Sequence, residues 1–394
     1  MKMYRELLVI NQSIGRLFSD VVNAVVNAGI SVKLLSGPLT YSDFKNPNLS
    51  YIPGCELAKA PSWRRIFTWG IFSVQAVITM MRCRSARALL VTNPPIVPWL
   101  GPAIKKITGM RYVVLVYDIY PDVMERMGMI HAGKFISRVL RKLSAASLRQ
   151  ADFVITLSDD MKSTLLSHLS PNEPIFIPII PNWADTRKIR PINRAENPFA
   201  HKHGLMNKFV VLYSGSFGAI HDVESIISAA EMLTDLVDVQ FVLIGGGTHE
   251  KEIGRLAKQK KLPNLLILPI QPTQILQYSL TSADCHIVSI STEFKGISMP
   301  SKTYTSLAAG GAIVAVSPPD SDLAKLIKRI DCGICVPPGK PHKLAEAIRR
   351  LVADKDLLQR MRQNARRAAE NQYDVITGTK SYLELLLPFL NKEN

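Results

Sequence analysis

The fold of this chain is decided by the stretch Gly296-Ile-Ser-Met-Pro-Ser-Lys-Thr-Tyr-Thr-Ser-Leu-Ala-Ala-Gly-Gly-Ala-Ile-Val-Ala-Val316, a loop, a helix and a strand in immediate succession. Ser301 is a suitable N-cap, and Lys302 falls in the first turn. Gly310-Gly311 ends the helix, and Ala312–Val316 resumes as a buried strand. Free N–H groups, the helix dipole and the mobile charge of a lysine favour an anion such as a diphosphate. The stretch therefore predicts a phosphate-binding loop in an α/β fold.

Short apolar runs, bounded by turn residues and separated by helix-capable segments, recur along the whole chain. The first series comprises residues 7–10, 31–35, 88–92, 112–117 and 153–157. The second comprises residues 209–213, 241–244, 265–268, 286–290, 312–316 and 333–336. A polar, proline-bearing stretch without periodicity begins near Pro181. The pattern predicts two Rossmann-like, doubly wound parallel-sheet domains with a boundary near Pro181.

Composition narrows the range of partners. The 394 residues include 48 Lys and Arg against 32 Asp and Glu, for a formal net charge of +16. This balance favours anionic partners, namely nucleotide diphosphates, acidic lipid head groups or nucleic acid. Five scattered cysteines, including Cys332-Gly-Ile-Cys335, are typical of structural thiols in a reducing cytoplasm.

Glycines cluster where two strands of the second series end. Gly215 and Gly218 follow the first of these strands, and Gly245-Gly-Gly247 ends the next. Because open α/β sheets bind ligands at the carboxyl ends of their strands, these loops and the loop at Gly296 predict one anion and nucleotide pocket. The chain has neither Gly-x-Gly-x-x-Gly nor a P-loop motif, which counts against an NAD enzyme and a P-loop nucleotidase.

Several segments resemble glycosyltransferase family 4, the retaining transferases of the GT-B fold, and especially bacterial members that build surface polysaccharides. The matching segments are Pro300-Ser-Lys302, Leu307-Ala-Ala-Gly310, Ile180-Pro-Asn-Trp-Ala-Asp185, Ala151-Asp-Phe-Val-Ile-Thr-Leu-Ser158 and Cys332-Gly-Ile-Cys-Val-Pro-Pro-Gly339. The resemblance spans nearly the whole chain and is strongest from 151 to 373.

The resemblance implies two domains facing a cleft. Residues 1–181 would bind the acceptor, residues 182–373 would hold a nucleotide-sugar donor, and residues 374–394 would cross back to the N-terminal domain. Ser301 and Lys302 would bind the diphosphate, with the glycine loops around them. The implied donor contacts are Gly215, Ser216, Phe217, Gly218, Gly245, Gly246, Gly247, Lys295, Gly296, Ser298, Ser301 and Lys302, of which Lys295, Gly296 and Ser298 would lie near the transferred sugar.

The chain departs from the family pattern at the expected ribose contact. Thr305 stands where the family often has a glutamate, and Glu293 is followed eight residues later by Ser301, so the paired-carboxylate pattern is absent. A threonine can make one hydrogen bond in its place. The basic residues usual after the first strand of the domain are also missing, which leaves His221 either as the nearest basic donor contact or as a surface histidine.

Asp118 is the candidate catalytic residue, because it follows a buried strand of the N-terminal half. It would orient or deprotonate the acceptor hydroxyl, or alternatively cap the next helix. Gly15 and Arg16 lie after the first strand, where the glycine permits close approach to donor phosphates. The family implies retention without a protein nucleophile. No His/Asp cluster is evident, so we expect transfer without metal or cofactor.

Residues 66–81 form an apolar run too short for a membrane span. Arg64, Arg65, Arg82 and Arg84 flank this run, and Trp63 and Trp69 lie nearby. The run is either a buried helix or a helix resting at an anionic membrane interface.

Together these features predict a cytoplasmic glycosyltransferase peripherally associated with the inner face of the plasma membrane. It would move a sugar from a UDP- or GDP-linked donor to a lipid-linked saccharide. One alternative is a GT-B-type nucleotide-sugar epimerase. The other is a basic nucleic-acid-binding protein, although the chain lacks the usual motifs of that class. An arginine-rich helix face could contact the nucleic acid, or it could simply be a helix face exposed to solvent. The face is formed by Arg349, Arg350, Arg360, Arg362, Arg366 and Arg367.

Overall fold

The computed structural model describes residues 5–39, 46–58, 62–170, 174–218 and 220–391. The chain divides into two compact units. Unit 1 consists of Met1–Pro181 with Ile376–Asn394, and unit 2 of Asn182–Val375. Each unit is built around a six-stranded parallel sheet, as the two series of apolar runs predict.

The sheet of unit 1 has the order β3-β2-β1-β4-β5-β6. Its strands are β1 (Leu7–Ile10), β2 (Val32–Ser36), β3 (Leu49–Pro53), β4 (Arg87–Val91), β5 (Tyr112–Leu115) and β6 (Val154–Ile155). The sequence pattern missed β3. This strand pairs only with β2 at the sheet edge, and its residues are exposed or half-buried, so it has no apolar run to reveal it.

Helices cover the sheet of unit 1. They are α1 (Arg16–Asn27), α2 (Ser62–Arg82), α3 (Ile96–Thr108), α4 (Asp122–Arg126), α5 (Phe135–Gln150), α6 (Asp159–Ser167) and, near the chain end, α15 (Val375–Leu390). The C-terminal part of α15 joins the core of this unit. The Phe389 ring packs edge-on against Phe153 at 5.8 Å between centroids, and the backbone N–H of Arg5 donates to the Leu390 carbonyl.

The sheet of unit 2 has the order β12-β11-β10-β7-β8-β9. Its strands are β7 (Phe209–Ser216), β8 (Val239–Gly246), β9 (Leu265–Leu268), β10 (Cys285–Ser289), β11 (Ala312–Val316) and β12 (Gly333–Val336). Its helices are α7 (Pro198–Lys202), α8 (Val223–Glu231), α9 (Glu250–Lys260), α10 (Thr273–Thr281), α11 (Lys302–Ala308), α12 (Asp322–Ile330), α13 (Pro341–Ala353) and α14 (Lys355–Gln372).

Both sheets have the same doubly wound order, in which the first and fourth strands of each unit are neighbours. The direction of winding therefore reverses between β1 and β4 in unit 1 and between β7 and β10 in unit 2. In open parallel sheets, ligands bind beyond the carboxyl ends of the strands at this reversal. The fold thus predicts that ligand-binding residues lie in the segments that follow these four strands.

The quoted stretch folds as a loop, a short helix and a strand, but its helix begins differently from the prediction. Ser301 has helical dihedral angles (φ −64°, ψ −26°), and its side chain makes no capping hydrogen bond. The N–H groups of Thr303 and Tyr304 donate to the carbonyls of Pro300 and Ser301. Ser301 thus occupies the predicted N-cap position, but its side chain does not cap the helix, and these two N–H groups are already used within the turn.

Candidate functional site

Lys302 is held against Tyr213 at the end of β7. Its Nζ atom donates to Tyr213 Oη at 2.9 Å and lies 4.1 Å from the centroid of the tyrosine ring. Tyr213 Oη in turn donates to the Ser216 carbonyl at 2.7 Å. A Cβ at Gly215 would lie 2.8 Å from Nζ, so the glycine leaves room for the ammonium group. The lysine is thus a positioned cation rather than the mobile charge that the sequence suggested.

The surroundings of this lysine alter its charge state. Burial lowers the pKa of Lys302 to about 7, because an ammonium group is poorly solvated there. Burial raises the pKa of Tyr213, so the phenol keeps its proton and remains a donor to Ser216. An anion placed at Nζ would favour the charged form of the lysine, so the arrangement is suited to a phosphate group.

His221 is not the basic donor contact that the sequence proposed. Its Nδ1 atom lies 2.7 Å from the Ser289 carbonyl, which fixes a proton on Nδ1 and leaves Nε2 as an acceptor. Burial and the nearby charge of Lys302 lower the pKa of His221 to about 4. It is also not a surface histidine, since it is half-buried and its ring packs edge-on to Tyr213. At neutral pH it offers a hydrogen-bond acceptor, which suits a hydroxyl group and not a phosphate.

The glycines of the two loops serve mainly to let the loops pack together. Gly215 and Gly245 lie within paired strands, and a Cβ at Gly245 would be 2.0 Å from the Gly215 carbonyl oxygen. A Cβ at Gly247 would be 2.8 Å from the Phe217 carbonyl, and the Phe217 N–H donates to Gly246 at 2.9 Å. Backbone packing is therefore sufficient to explain why positions 245 and 247 are glycines, without a bound ligand. They bring the ends of β7 and β8 into backbone contact.

A cavity of about 390 Å³ opens beyond the carboxyl end of the unit 2 sheet, where its winding reverses. Phe217, Gly218 and His221 line it, as the sequence predicted for a donor pocket. The other predicted residues of unit 2 are not among the described residues that line it. The remaining lining residues, from the segments after β7, β8, β10 and β12, are Asp222, Val223, Glu224, His249, Ile253, Ser291, Thr292, Glu293, Pro338 and Gly339.

Sequence reasoning missed most of this lining, although its position after successive strands was a usable signal. Asp222 is the clearest example, because it organises the cavity wall. Its carboxylate accepts from the Ser225 N–H at 3.2 Å, which caps α8, and from the Gly339 N–H at 2.7 Å. One acidic side chain thereby joins the segments that follow β7 and β12.

Two of the residues predicted to lie near the sugar and ribose, Lys295 and Thr305, contact other protein groups. Lys295 forms an ion pair with Asp320, on the segment after β11. Thr305 Oγ1 donates to the Lys302 carbonyl at 3.0 Å, within its own helix. Gly296 has a φ of +70°, which a glycine adopts without strain, and Ser298 is half-buried. In this structure the Thr305 hydroxyl therefore donates its hydrogen bond to the helix backbone.

In unit 1, the segment after β1 lies at the reversal of the sheet. Gly15 is the N-cap of α1, and a Cβ at this position would meet no atom within 4 Å. Arg16 is the first residue of the helix. The segment is joined to the one after β4, because the Gln12 N–H donates to the Asn93 carbonyl at 2.7 Å. Gly15 thus faces open space rather than a packed neighbour.

Asp118 lies three residues beyond the end of β5 and is half-buried. The next helix, α4, has Pro121 at its N-cap position, three residues beyond Asp118. Asp118 lines a small cavity of about 20 Å³ with Tyr120 and Trp99. This volume suits a water molecule and is too small for a sugar.

The arginine-rich face of α13 and α14 binds protein oxygens. Arg349 pairs with Asp235, and Arg360 with Asp331. Arg366 donates to three backbone carbonyls, at 2.6 Å to 3.0 Å. Arg362 donates to the Gly310 carbonyl and pairs with Asp284. Four of the six arginines of this face therefore have protein partners, whereas Arg350 and Arg367 are exposed.

Comparisons with known proteins agree with this geometry. Residues 195–368 match the family model described as glycosyl transferases group 1. The probable glycosyltransferase WbjE of Pseudomonas aeruginosa is 26% identical over 284 residues, which cover 72% of this chain and 70% of that protein. The putative colanic acid biosynthesis glycosyl transferase WcaI of Escherichia coli (strain K12) is 25% identical over 386 residues, which cover 92% and 93%.

A crystal structure of HepE from Anabaena in complex with UDP-glucose has a similar fold, with a TM-score of 0.74 at 15% sequence identity. The match covers 98% of this chain and 100% of that one. The two six-stranded parallel sheets with flanking helices define the GT-B fold, as predicted. The chain is a glycosyltransferase. In particular, its unit 2 contains a glycosyl transferases group 1 domain.

Proposed function

We propose that this glycosyltransferase moves a sugar from a UDP- or GDP-linked donor to a lipid-linked saccharide during surface-polysaccharide biosynthesis, with retention of the anomeric configuration. The relative WcaI is named for colanic acid biosynthesis, and HepE has been solved with UDP-glucose. The name of WcaI supports a polysaccharide product, and the HepE complex supports a nucleotide-sugar donor.

The observation that carries the donor assignment is the position of Lys302. Its ammonium group is fixed on Tyr213, and the Tyr213 ring contacts His221, which lines the cavity. A diphosphate at Nζ would thus have a cavity of about 390 Å³ beside it for the rest of the donor. His221 Nε2 and the Glu293 carboxylate are acceptors suited to sugar or ribose hydroxyls.

We assign donor binding to unit 2 and acceptor binding to unit 1. In unit 1, Gly15 and Arg16 are proposed to approach the donor phosphates. Asp118 is proposed to orient or deprotonate the acceptor hydroxyl. In the retaining mechanism, the leaving diphosphate assists this deprotonation on the same face of the sugar, so the chain needs no nucleophilic side chain.

We place the enzyme at the inner face of the plasma membrane, where a lipid-linked acceptor would be found. Among the described residues, no helix is long and apolar enough to cross a membrane. We propose that the association is peripheral and depends on a surface of the protein.

A panel of labelled nucleotide sugars, incubated with the protein with and without bacterial lipid extract, tests the proposal. We expect one donor to label the lipid fraction, and NMR of the product to show the anomeric configuration of the donor. Sugar conversion without any acceptor would identify an epimerase instead. If no nucleotide sugar binds in a calorimetric titration, the donor assignment is wrong.

A further inference from the structure

Three helices on unit 1 carry only positive charges. α3 packs against both α2 and α5, so the three form one layer. None of the three contains an aspartate or a glutamate. Their charged residues are Arg64, Arg65, Arg82, Lys105, Lys106, Arg138, Arg141, Lys142 and Arg149. Arg141 is paired with Asp122 and Glu125 of α4, but the three helices contribute no acidic residue in a chain that has 32, so the layer is rich in positive charge.

The same layer exposes large apolar side chains. On α2, Trp63 and Phe67 are each 64% exposed and Val74 is 61% exposed, and Ile66, Ile71 and Ile78 continue the stripe. On α5, Phe135 is 74% exposed and Ile136 is 60% exposed, followed by Val139 and Leu143 at helical spacing. More than half of the exposed large hydrophobic residues of the described chain lie on these three helices.

Residues 66–81 have a buried side and an exposed side, so the buried-helix interpretation holds for one side of α2 only. Trp69, Phe72, Ala76 and Met80 face the core and are at most 4% exposed. The opposite side of α2 has no partner among the described residues that would cover its apolar stripe. A contiguous exposed apolar face of this kind marks an interaction surface rather than an ordinary solvated one.

We propose that the outer face of α2, α3 and α5 docks onto an anionic membrane, with the apolar side chains in the acyl boundary and the basic side chains at the lipid head groups. A helix that is apolar on one side and basic beside it binds in the plane of the interface. Charge selects this occupant, because a second copy of the chain would bring the same positive face and repel it. The proposal deepens the proposed function, since it names the surface that reaches a lipid-linked acceptor.

Vesicle binding tests this surface without donor or acceptor, so its failure is distinguishable from failure of sugar transfer. The full-length protein is sedimented with vesicles of phosphatidylcholine alone or with added phosphatidylglycerol. We expect binding to the anionic vesicles at low salt, weakened at high salt. The triple variant Phe67→Ser, Val74→Ser, Phe135→Ser should lose binding. A matched control, Val237→Ser with Ile376→Ser, removes exposed apolar residues from other surfaces and should bind as the wild type does.

The charge contribution is measured separately. The double variant Arg138→Gln, Lys142→Gln should bind anionic vesicles about thirtyfold more weakly, because each basic residue near such a surface contributes on the order of 1 kcal/mol. Arg350→Gln with Arg367→Gln removes the same charge from exposed positions of unit 2 and should change binding far less. Circular dichroism checks that each variant is folded.

Trp63 reports directly on insertion. The chain has four tryptophans, of which Trp69 and Trp183 are buried, Trp99 on α3 is half-buried and Trp63 is 64% exposed. Anionic vesicles should shift the tryptophan emission to the blue, and Trp63→Phe should remove most of the shift while vesicle binding is retained. Equal binding to both kinds of vesicle, or unchanged binding by the triple variant, would overturn the proposal. So would an oligomer in solution that the triple variant dissociates, since that would assign the face to a second copy.

Discussion

At the scale of single residues, the candidate site depends on one lysine whose charge is set by its surroundings. Lys302 would bind an anion through a single ammonium group, because two N–H groups of its helix turn are already used. Its position is fixed by Tyr213, whose hydroxyl accepts from Nζ and donates to Ser216. The strength of donor binding should therefore depend both on the protonation of Lys302 and on the tyrosine hydroxyl.

The first prediction concerns pH. A bound diphosphate favours the protonated lysine, whose pKa in the free protein is lowered to about 7. Raising the pH through 7 removes that proton, so nucleotide-sugar affinity should fall about tenfold per pH unit between about 7.5 and 9. His221, with its pKa lowered to about 4, and Tyr213, with its pKa raised, do not titrate in this window. Calorimetric titrations at several pH values measure the slope.

The control for this pH dependence is Lys302→Met, which has a similar length but no charge. We expect it to bind the donor weakly and with little change between pH 6 and pH 9. A wild-type affinity that stays constant over this range would show that the lysine does not contact the diphosphate.

The second prediction concerns Tyr213→Phe, which keeps the buried ring but removes the oxygen that joins Lys302 to Ser216. Donor affinity should fall by about 1 to 2 kcal/mol, since a hydrogen bond to a charged group is lost and the ammonium is less well placed. Tyr304→Phe is the matched control, because Tyr304 is as deeply buried in the same unit. Equal donor affinity in the two variants would mean that the Tyr213 hydroxyl does not position Lys302.

The sequence could predict that Lys302 lies in the first turn of a helix that follows a loop, but not its state of charge. The partner that holds it is 89 residues away in the chain, and its burial arises only when β7 and α11 pack together. The same holds for His221, whose acceptor role depends on the Ser289 carbonyl, 68 residues away. Residue type and spacing report local geometry, whereas pKa values depend on the packed environment.

At the scale of secondary structure, strand positions were predictable because buried parallel strands are continuous apolar runs. The ends of these elements were less predictable. β7 continues through Gly215 and Ser216, since backbone pairing with β8 extends beyond the apolar run. The glycines there predict ligand contacts, whereas in the structure Gly245 allows two strands to pack together. A glycine pattern alone does not distinguish a close ligand from a close neighbouring strand.

The third prediction concerns the packing of α4 and α5. Arg141 on α5 donates to Asp122 Oδ1 at 3.1 Å and to Glu125 Oε2 at 2.6 Å on α4. Burial alone would raise the pKa of Asp122, but His168 and Arg141 outweigh it and lower the pKa. Arg141→Met removes the arginine partner of two largely buried carboxylates, which keep His168 and Ser137 as partners, and should destabilise unit 1 by about 2 kcal/mol. Urea-dependent hydrogen exchange of peptides from α4 and α5 measures this loss.

The pH dependence of this variant provides an internal check. The Asp122 carboxylate contributes stability above its unfolded pKa near 3.8, and this contribution is lost as pH falls through its lower folded value. The difference between Arg141→Met and wild type should therefore shrink in acid. Arg349→Met breaks a solvent-exposed pair with Asp235, so it should cost far less stability than Arg141→Met. A similar cost for both variants would contradict a structural role for Arg141.

At the scale of the whole molecule, each unit has its own sheet and its own buried core. The last helix, α15, follows unit 2 in sequence but packs in unit 1. Its buried side chains include Tyr382, Leu386, Phe389 and Leu390. The stability of unit 1 should consequently depend on residues from both ends of the chain.

The fourth prediction tests that dependence with Phe389→Ala. The Phe389 ring is 5% exposed, packs against Phe153, and lies within 6 Å of the guanidinium groups of Arg87 and Arg111. Removing it should cost unit 1 about 3 kcal/mol or more. Hydrogen exchange should then increase in β1, β4 and β5 and stay unchanged in β7, β10 and β11. The reciprocal variant Phe241→Ala, at a fully buried position of unit 2, should reverse the pattern. Increased exchange in both sheets from either substitution would mean that the two cores unfold together.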